Sequence, residues 1–160
     1  MEKNKSVIFL IVWFTWAAGK CLDSIVRYSM TSDYYIFSAI DMSPVYFIFV
    51  FSIFSLNTAT VFYLFRPTLV GIYVAITALI VAFIQNMVSM SLALKDLEGA
   101  KEAYAIGRVG RGLSVRDGAL DMIFSQNGII TASAIMTVFY FLVAYVVVRN
   151  KSYFGYVRSV

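Results

Sequence analysis

The sequence predicts an all-α integral membrane protein, four transmembrane helices in an antiparallel bundle with a helical non-cytoplasmic cap between the third and fourth. Three observations predict it. Of the 160 residues, 61% are hydrophobic and only 14% charged, against about 25% charged in a soluble domain. Four segments approach the roughly 20 apolar residues that cross a hydrocarbon core ~30 Å thick. Basic residues gather at one end of those segments, as the positive-inside rule requires of cytoplasmic loops. With two prolines and no Gly/Ser-rich tract, residues 1–160 read as a single membrane domain without a linker.

The first span is expected over residues 6–27. Its uninterrupted apolar part, Val7 to Gly19, is only 13 residues long, so the charged turn "KCLDSIVR" that follows must be partly immersed. The run is long, rich in aromatic residues and lacks a small-x-small cleavage site, so it reads as a retained span and not as a signal peptide. The second span, residues 44–65, opens at Ser43-Pro44, where serine can cap and proline suits the first turn. Arg66-Pro67 breaks it tightly, and the third span occupies residues 68–94. The fourth, residues 128–148, carries Ala132, Ser133, Ala134 and Thr137, small side chains that permit close helix approach. Lys3, Lys5, Arg66, Arg149, Lys151 and Arg158 stand against Glu2 alone on one side, which puts both termini in the cytoplasm. A compact chain without paired cysteines suits a bacterial inner membrane.

The outer side holds two connections. The short one, residues 28–42, reads as a plain loop. The long one, residues 95–127, reads as helical: "LALKDLEGAKEAYAI" suits a continuation of the third span beyond the bilayer. The glycines of "GRVGRG" then break it at Gly107 to Gly112, and Ser114 and Asp117, in S-x-x-D spacing, open a second short helix. Arg108 and Arg111, with Ser114 at the next helix start, form a candidate contact for a phosphate or carboxylate.

Polar groups inside the spans are the other candidates. Lys20 and Asp23 are three residues apart and Asp23 and Arg27 four apart, so all three share a helix face and can pair. At ~1.5 Å per residue Lys20 lies about 21 Å along the first span, and Gln85 and Asn86 lie about 26 Å along the third. That common depth predicts one polar layer of Lys20, Asp23, Arg27, Gln85 and Asn86. Thr15 and Asn57 are expected to form a separate interhelical hydrogen bond.

No histidine is present and cysteine occurs once, as Cys21. Histidine-ligated haem, the common zinc sites, imidazole bases, internal disulfides and two-cysteine redox relays are thereby excluded. No metal or cofactor is expected. The net charge of +4 reflects topology, since no basic cluster sits on a soluble element, and nucleic acid is not an expected partner. The leading expectation is a non-enzymatic protein that acts by association in the lipid bilayer. It would be an accessory or assembly subunit of a larger membrane complex, or a membrane-resident inhibitor or immunity factor, with a membrane-protein partner or a second copy. The alternative is an oligomeric transporter or channel for an ion or small anionic solute. A lipid-modifying enzyme ranks last, because a lone Asp23 between two cations is held ionised and makes a poor base.

Overall fold

The structure is a computed structural model that describes residues 5–115 and 118–155, helical almost throughout and with no strand among the described residues. Seven α-helices follow in order among them: α1 (Lys5–Val26), α2 (Ser32–Ser38), α3 (Ser43–Phe65), α4 (Leu69–Lys95), α5 (Leu97–Gly110), α6 (Ala119–Ile123) and α7 (Gln126–Arg149). Short 3-10 turns at Tyr28–Met30 and Lys151–Phe154 precede α2 and follow α7. α1, α3, α4 and α7 are each long and apolar enough to cross a membrane. Their surfaces fit that solvent. Large side chains such as Val12, Ile48, Tyr73 and Phe141 stand outward and uncovered, a pattern that water would punish and acyl chains do not.

α1 packs along α3, α3 along α4 and α4 along α7, but α1 meets α7 only lightly. The four helices therefore form an incomplete ring with one thin seam. The burial of each span agrees: 11% of the apolar stretch is buried in α1 and in α7, against 28% in α3 and 22% in α4. Across the seam the rings of Trp13 and Phe139 touch, with centroids 4.9 Å apart.

One half of the ring is solid. Val7, Leu10 and Phe14 of α1 meet Leu64 of α3, Ala75 and Leu79 of α4, and Val143 and Val147 of α7 in one buried cluster. The C-terminal 3-10 turn closes it. Phe154 is fully buried there, and the hydroxyl of Tyr153 donates to the Leu64 carbonyl at 2.7 Å. Gly71 makes the seat: a Cβ at that position would lie 2.8 Å from the Tyr63 Cβ and 2.9 Å from the Phe154 ring. Truncating a buried phenylalanine costs ~3–5 kcal/mol in water-soluble cores, and less where lipid replaces water because the transfer contribution shrinks. Phe154→Ala is accordingly expected to lower the thermal unfolding midpoint in detergent further than Tyr153→Phe, which removes one hydrogen bond of about 1 kcal/mol; equal midpoints would contradict the plug.

The other half is built differently from the sequence-based expectation. The connection after α1 is not a plain loop: Tyr28–Met30 turns once and α2 folds back over the spans, with Phe37 fully buried against Tyr46 and Val50 of α3. Nor does α4 continue into α5. The chain breaks at Asp96, whose carboxylate accepts the Gly99 N–H at 2.9 Å and caps a new helix. α5 leaves α4 and packs on α2 and the turn before it. The expected break at Gly107 also moves. α5 runs through Gly107 to Gly110, and the turn comes at Gly112, whose φ of 71° suits glycine. Gly107 is a contact surface: a Cβ there would stand 3.0 Å from the Met30 carbonyl oxygen and 3.2 Å from the Ser32 nitrogen. Lys101 ties α5 to Asp121 of α6, and Tyr104 packs on Phe124. Asp117, expected to cap a helix with Ser114, lies outside the described residues; α6 starts after Gly118. Ser125 caps α7 by accepting the Gly128 N–H at 3.0 Å.

Candidate functional site

Between the solid half and α2 lies a half-open cavity of about 510 Å³. Its walls are helical stripes. Trp13, Trp16, Ala17, Lys20, Cys21 and Ser24 line it from α1, spaced three and four apart as one helix face requires. α3 contributes Tyr46, Val50, Ile53 and Asn57, and α4 contributes Ala78, Leu79, Ala82, Gln85 and Asn86 at the same periodicity. Ile135, Met136, Phe139 and Tyr140 complete it from α7, and Thr31 and Asp33 come down from the α2 side.

The polar groups cluster towards α2. Asp33 is half-buried, and Gln85 Nε2 donates to its Oδ2 at 3.3 Å. Asp33 has no cationic partner among the described residues; their ion pairs are Asp23 with Arg27, and Lys101 with Glu98 and Asp121. Burial pushes the Asp33 carboxyl above its ordinary range, since removing water penalises the charged form. Asn86 Nδ2 donates to the Tyr140 hydroxyl at 2.7 Å and to the Ala82 carbonyl at 2.8 Å. The Tyr46 hydroxyl donates to the Ser24 carbonyl at 3.2 Å, fastening α3 to the end of α1. A smaller cavity of about 190 Å³ lies beside the first and shares Asp33 and Asn86 with it. Ser89 lines this second space, and its buried hydroxyl has no hydrogen-bond partner.

The structure brings Lys20, Gln85 and Asn86 of the expected polar layer to this cavity. Asp23 and Arg27 are not among its lining: they pair with each other at 3.4 Å with both side chains substantially exposed. The reason is geometric, because Asp23 falls off the edge of the α1 stripe and Arg27 lies past the last turn. The acidic member of the site is Asp33. Thr15 and Asn57 are not brought together either. Thr15 faces outward, and Asn57 donates to the Ile53 carbonyl of its own helix at 2.8 Å.

The outer arginines are occupied locally. Arg108 Nε donates to the Ser114 carbonyl at 3.0 Å, and its guanidinium stands over the Tyr104 ring at 5.9 Å. Arg111 Nε donates to the Gly107 carbonyl at 2.9 Å. Arg111 thus satisfies a carbonyl in the last turn of α5, and Arg108 ties the following loop back to the helix. Arg108 and Ser114 border a surface cleft of about 240 Å³ that Arg111 does not line. Among the described residues no three Cys, Asp or Glu side chains converge on a metal-sized site.

Sequence reasoning missed Asp33, because it lies in a connection outside every apolar run. One signal was there: "DYYIF", Asp33 to Phe37, follows a charge with four apolar or aromatic residues, too greasy for a solvated loop. No family model, curated protein or solved structure matches the chain, so its functional reading rests on this geometry.

Proposed function

We propose that the protein is a polytopic membrane protein whose work is to hold a small solute in the cavity between its spans, in the manner of a transporter or permeation protein. The observation that carries this reading is the 510 Å³ cavity with an uncompensated carboxyl at its polar end. A membrane bundle held only by packing gains nothing from such a group, since ionisable side chains in or against the bilayer are costly. Clustering of the first half of α1, the last turns of α3, the start of α4 and the end of α7 supports an antiparallel bundle. The packing of α5 on α2 supports a helical cap at the opposite end. The distribution of lysine and arginine supports cytoplasmic termini, and a compact chain with a single cysteine fits a bacterial inner membrane.

Cys21, the single cysteine, lines the cavity and supplies the test. In liposomes containing the purified protein, N-ethylmaleimide is expected to modify Cys21 without denaturation, and the modification to block flux of small labelled solutes. A thiol that reacts only after unfolding would remove the open cavity and this function with it.

A second reading, association with another membrane protein as an accessory subunit or immunity factor, is favoured by the thin α1–α7 seam. Trp16 and Ile135 stand exposed along it, where a partner helix can lie. Crosslinking from these positions in native membranes is expected to capture a defined partner under that reading; crosslinks to lipid alone would count against it.

A further inference from the structure

The cavity just assigned to a solute has a charge pattern that selects its occupant. Lys20 lines the rim from α1 with its side chain exposed, and no described residue pairs with it. Asp33 lines the α2 end, held by one amide hydrogen bond and no cation. The two opposite charges border the same space without forming an ion pair. A purely cationic guest meets repulsion at Lys20, and a purely anionic one at Asp33. A molecule that carries both charges satisfies both, its anionic group on the lysine and its ammonium on the carboxylate through charge-assisted hydrogen bonds.

The walls add a second requirement. Trp13, Trp16, Phe139 and Ile135 flank the thin seam between α1 and α7, and Trp16 and Ile135 are exposed on it. In the bilayer that seam faces acyl chains. Trp13 on Phe139 is the aromatic contact across it, and α1 meets α7 only lightly, so this seam is where a sideways route would open. A volume of about 510 Å³ lies in the range of drug-sized guests. It accommodates a headgroup and its linkage and leaves long chains outside.

Resting on the reading of this cavity as a ligand site, we propose that it takes the headgroup of a zwitterionic lipid, phosphate against Lys20 and ammonium against Asp33, entering sideways between α1 and α7 with its chains left in the bilayer. Clefts between transmembrane helices that bind lipid headgroups through basic residues are physically well founded. The added feature here is an acid that discriminates against headgroups without an amine. A lysine stem can lie along apolar surface while its ammonium meets a phosphate, which the exposed Lys20 is placed to do.

The chain's two tryptophans both line the cavity, so intrinsic fluorescence reads its occupancy. The full-length protein in mild detergent is titrated with short-chain phosphatidylethanolamine, short-chain phosphatidylglycerol and soluble phosphoethanolamine. Phosphatidylethanolamine is expected to give a saturable change and to protect Cys21 from N-ethylmaleimide, with phosphatidylglycerol about ten- to a hundredfold weaker, the worth of one charge-assisted hydrogen bond. Asp33→Asn is expected to erase that preference, and Lys20→Gln, at an exposed position that folding tolerates, to weaken phosphatidylethanolamine by a similar factor. Equal binding of the two lipids, or an unchanged preference in Asp33→Asn, would overturn the proposal. Soluble phosphoethanolamine binding as tightly as the lipid would overturn the sideways route and leave a water-borne zwitterion. A reactive Cys21 with no lipid response sinks the ligand class alone, whereas an unreactive Cys21 sinks the open cavity beneath it.

Discussion

Gly107→Val is expected to lower the thermal unfolding midpoint and, at the same time, to raise the rate at which Cys21 reacts with maleimide. A side chain at 107 points at main-chain atoms, the Met30 carbonyl and the Ser32 nitrogen, which cannot swing aside as a side chain can. Overpacking costs ~1–3 kcal/mol, or roughly 2–4 °C per kcal/mol for a chain of this size. α5 must move off the turn before α2, and α2 carries Asp33. The hydrogen bond from Gln85 is then lost, and the cavity opens at its polar end. Gly19→Val is the matched control, since nothing lies within 4 Å of a Cβ there. If both variants melt and label alike, Gly107 is not the contact that seats α2.

The second large effect is on the pH dependence of stability. Burial raises the Asp33 carboxyl above its ordinary value of 3.8, so the folded protein keeps this proton to a higher pH than the unfolded chain does. Linkage then fixes the sign: the contribution is fully present below the unfolded value and is lost as pH rises through the folded one. Asp33→Asn removes the titration and retains an oxygen to accept from Gln85 Nε2. The variant is expected to match the parent at acid pH and to melt higher near neutrality, with its profile flatter from about pH 4 upward. The other titratable groups around the cavity, Lys20, Cys21, Tyr46 and Tyr140, are unchanged in the variant and cancel in the comparison. Parallel profiles for parent and variant would show that Asp33 is not buried as described. A neutral-pH gain accompanied by loss of phosphatidylethanolamine binding would also separate function from folding, because a more stable protein that no longer binds has not failed to fold.

The four long helices were legible because a membrane span is a matter of length and apolarity, both written along the chain. What folds back on itself was not. α2 has seven residues, too few for a periodicity to emerge, and its buried Phe37 has meaning only once Tyr46 stands beside it. Gly107 reads as a breaker in isolation and as a contact once Met30 is known to pass over it. Depth along the helix grouped Lys20 with Gln85 and Asn86, and all three line one cavity. Depth carries no azimuth, however, and Asp23 at nearly the same level turns away. The carboxyl that meets Gln85 came from a segment 52 residues distant in sequence, a pairing that no local spacing rule reaches.

The Phe154 plug makes one end of the bundle depend on the short turn that follows α7. Val7, Leu10, Phe14, Leu64, Val147 and Phe154 fill one half of the ring, and the cavity begins at its inner edge, where Ala78 and Leu79 border both. Opening that packed half requires Phe154 to leave its seat on Gly71, so the C-terminal turn is the latch on which that end of the bundle depends.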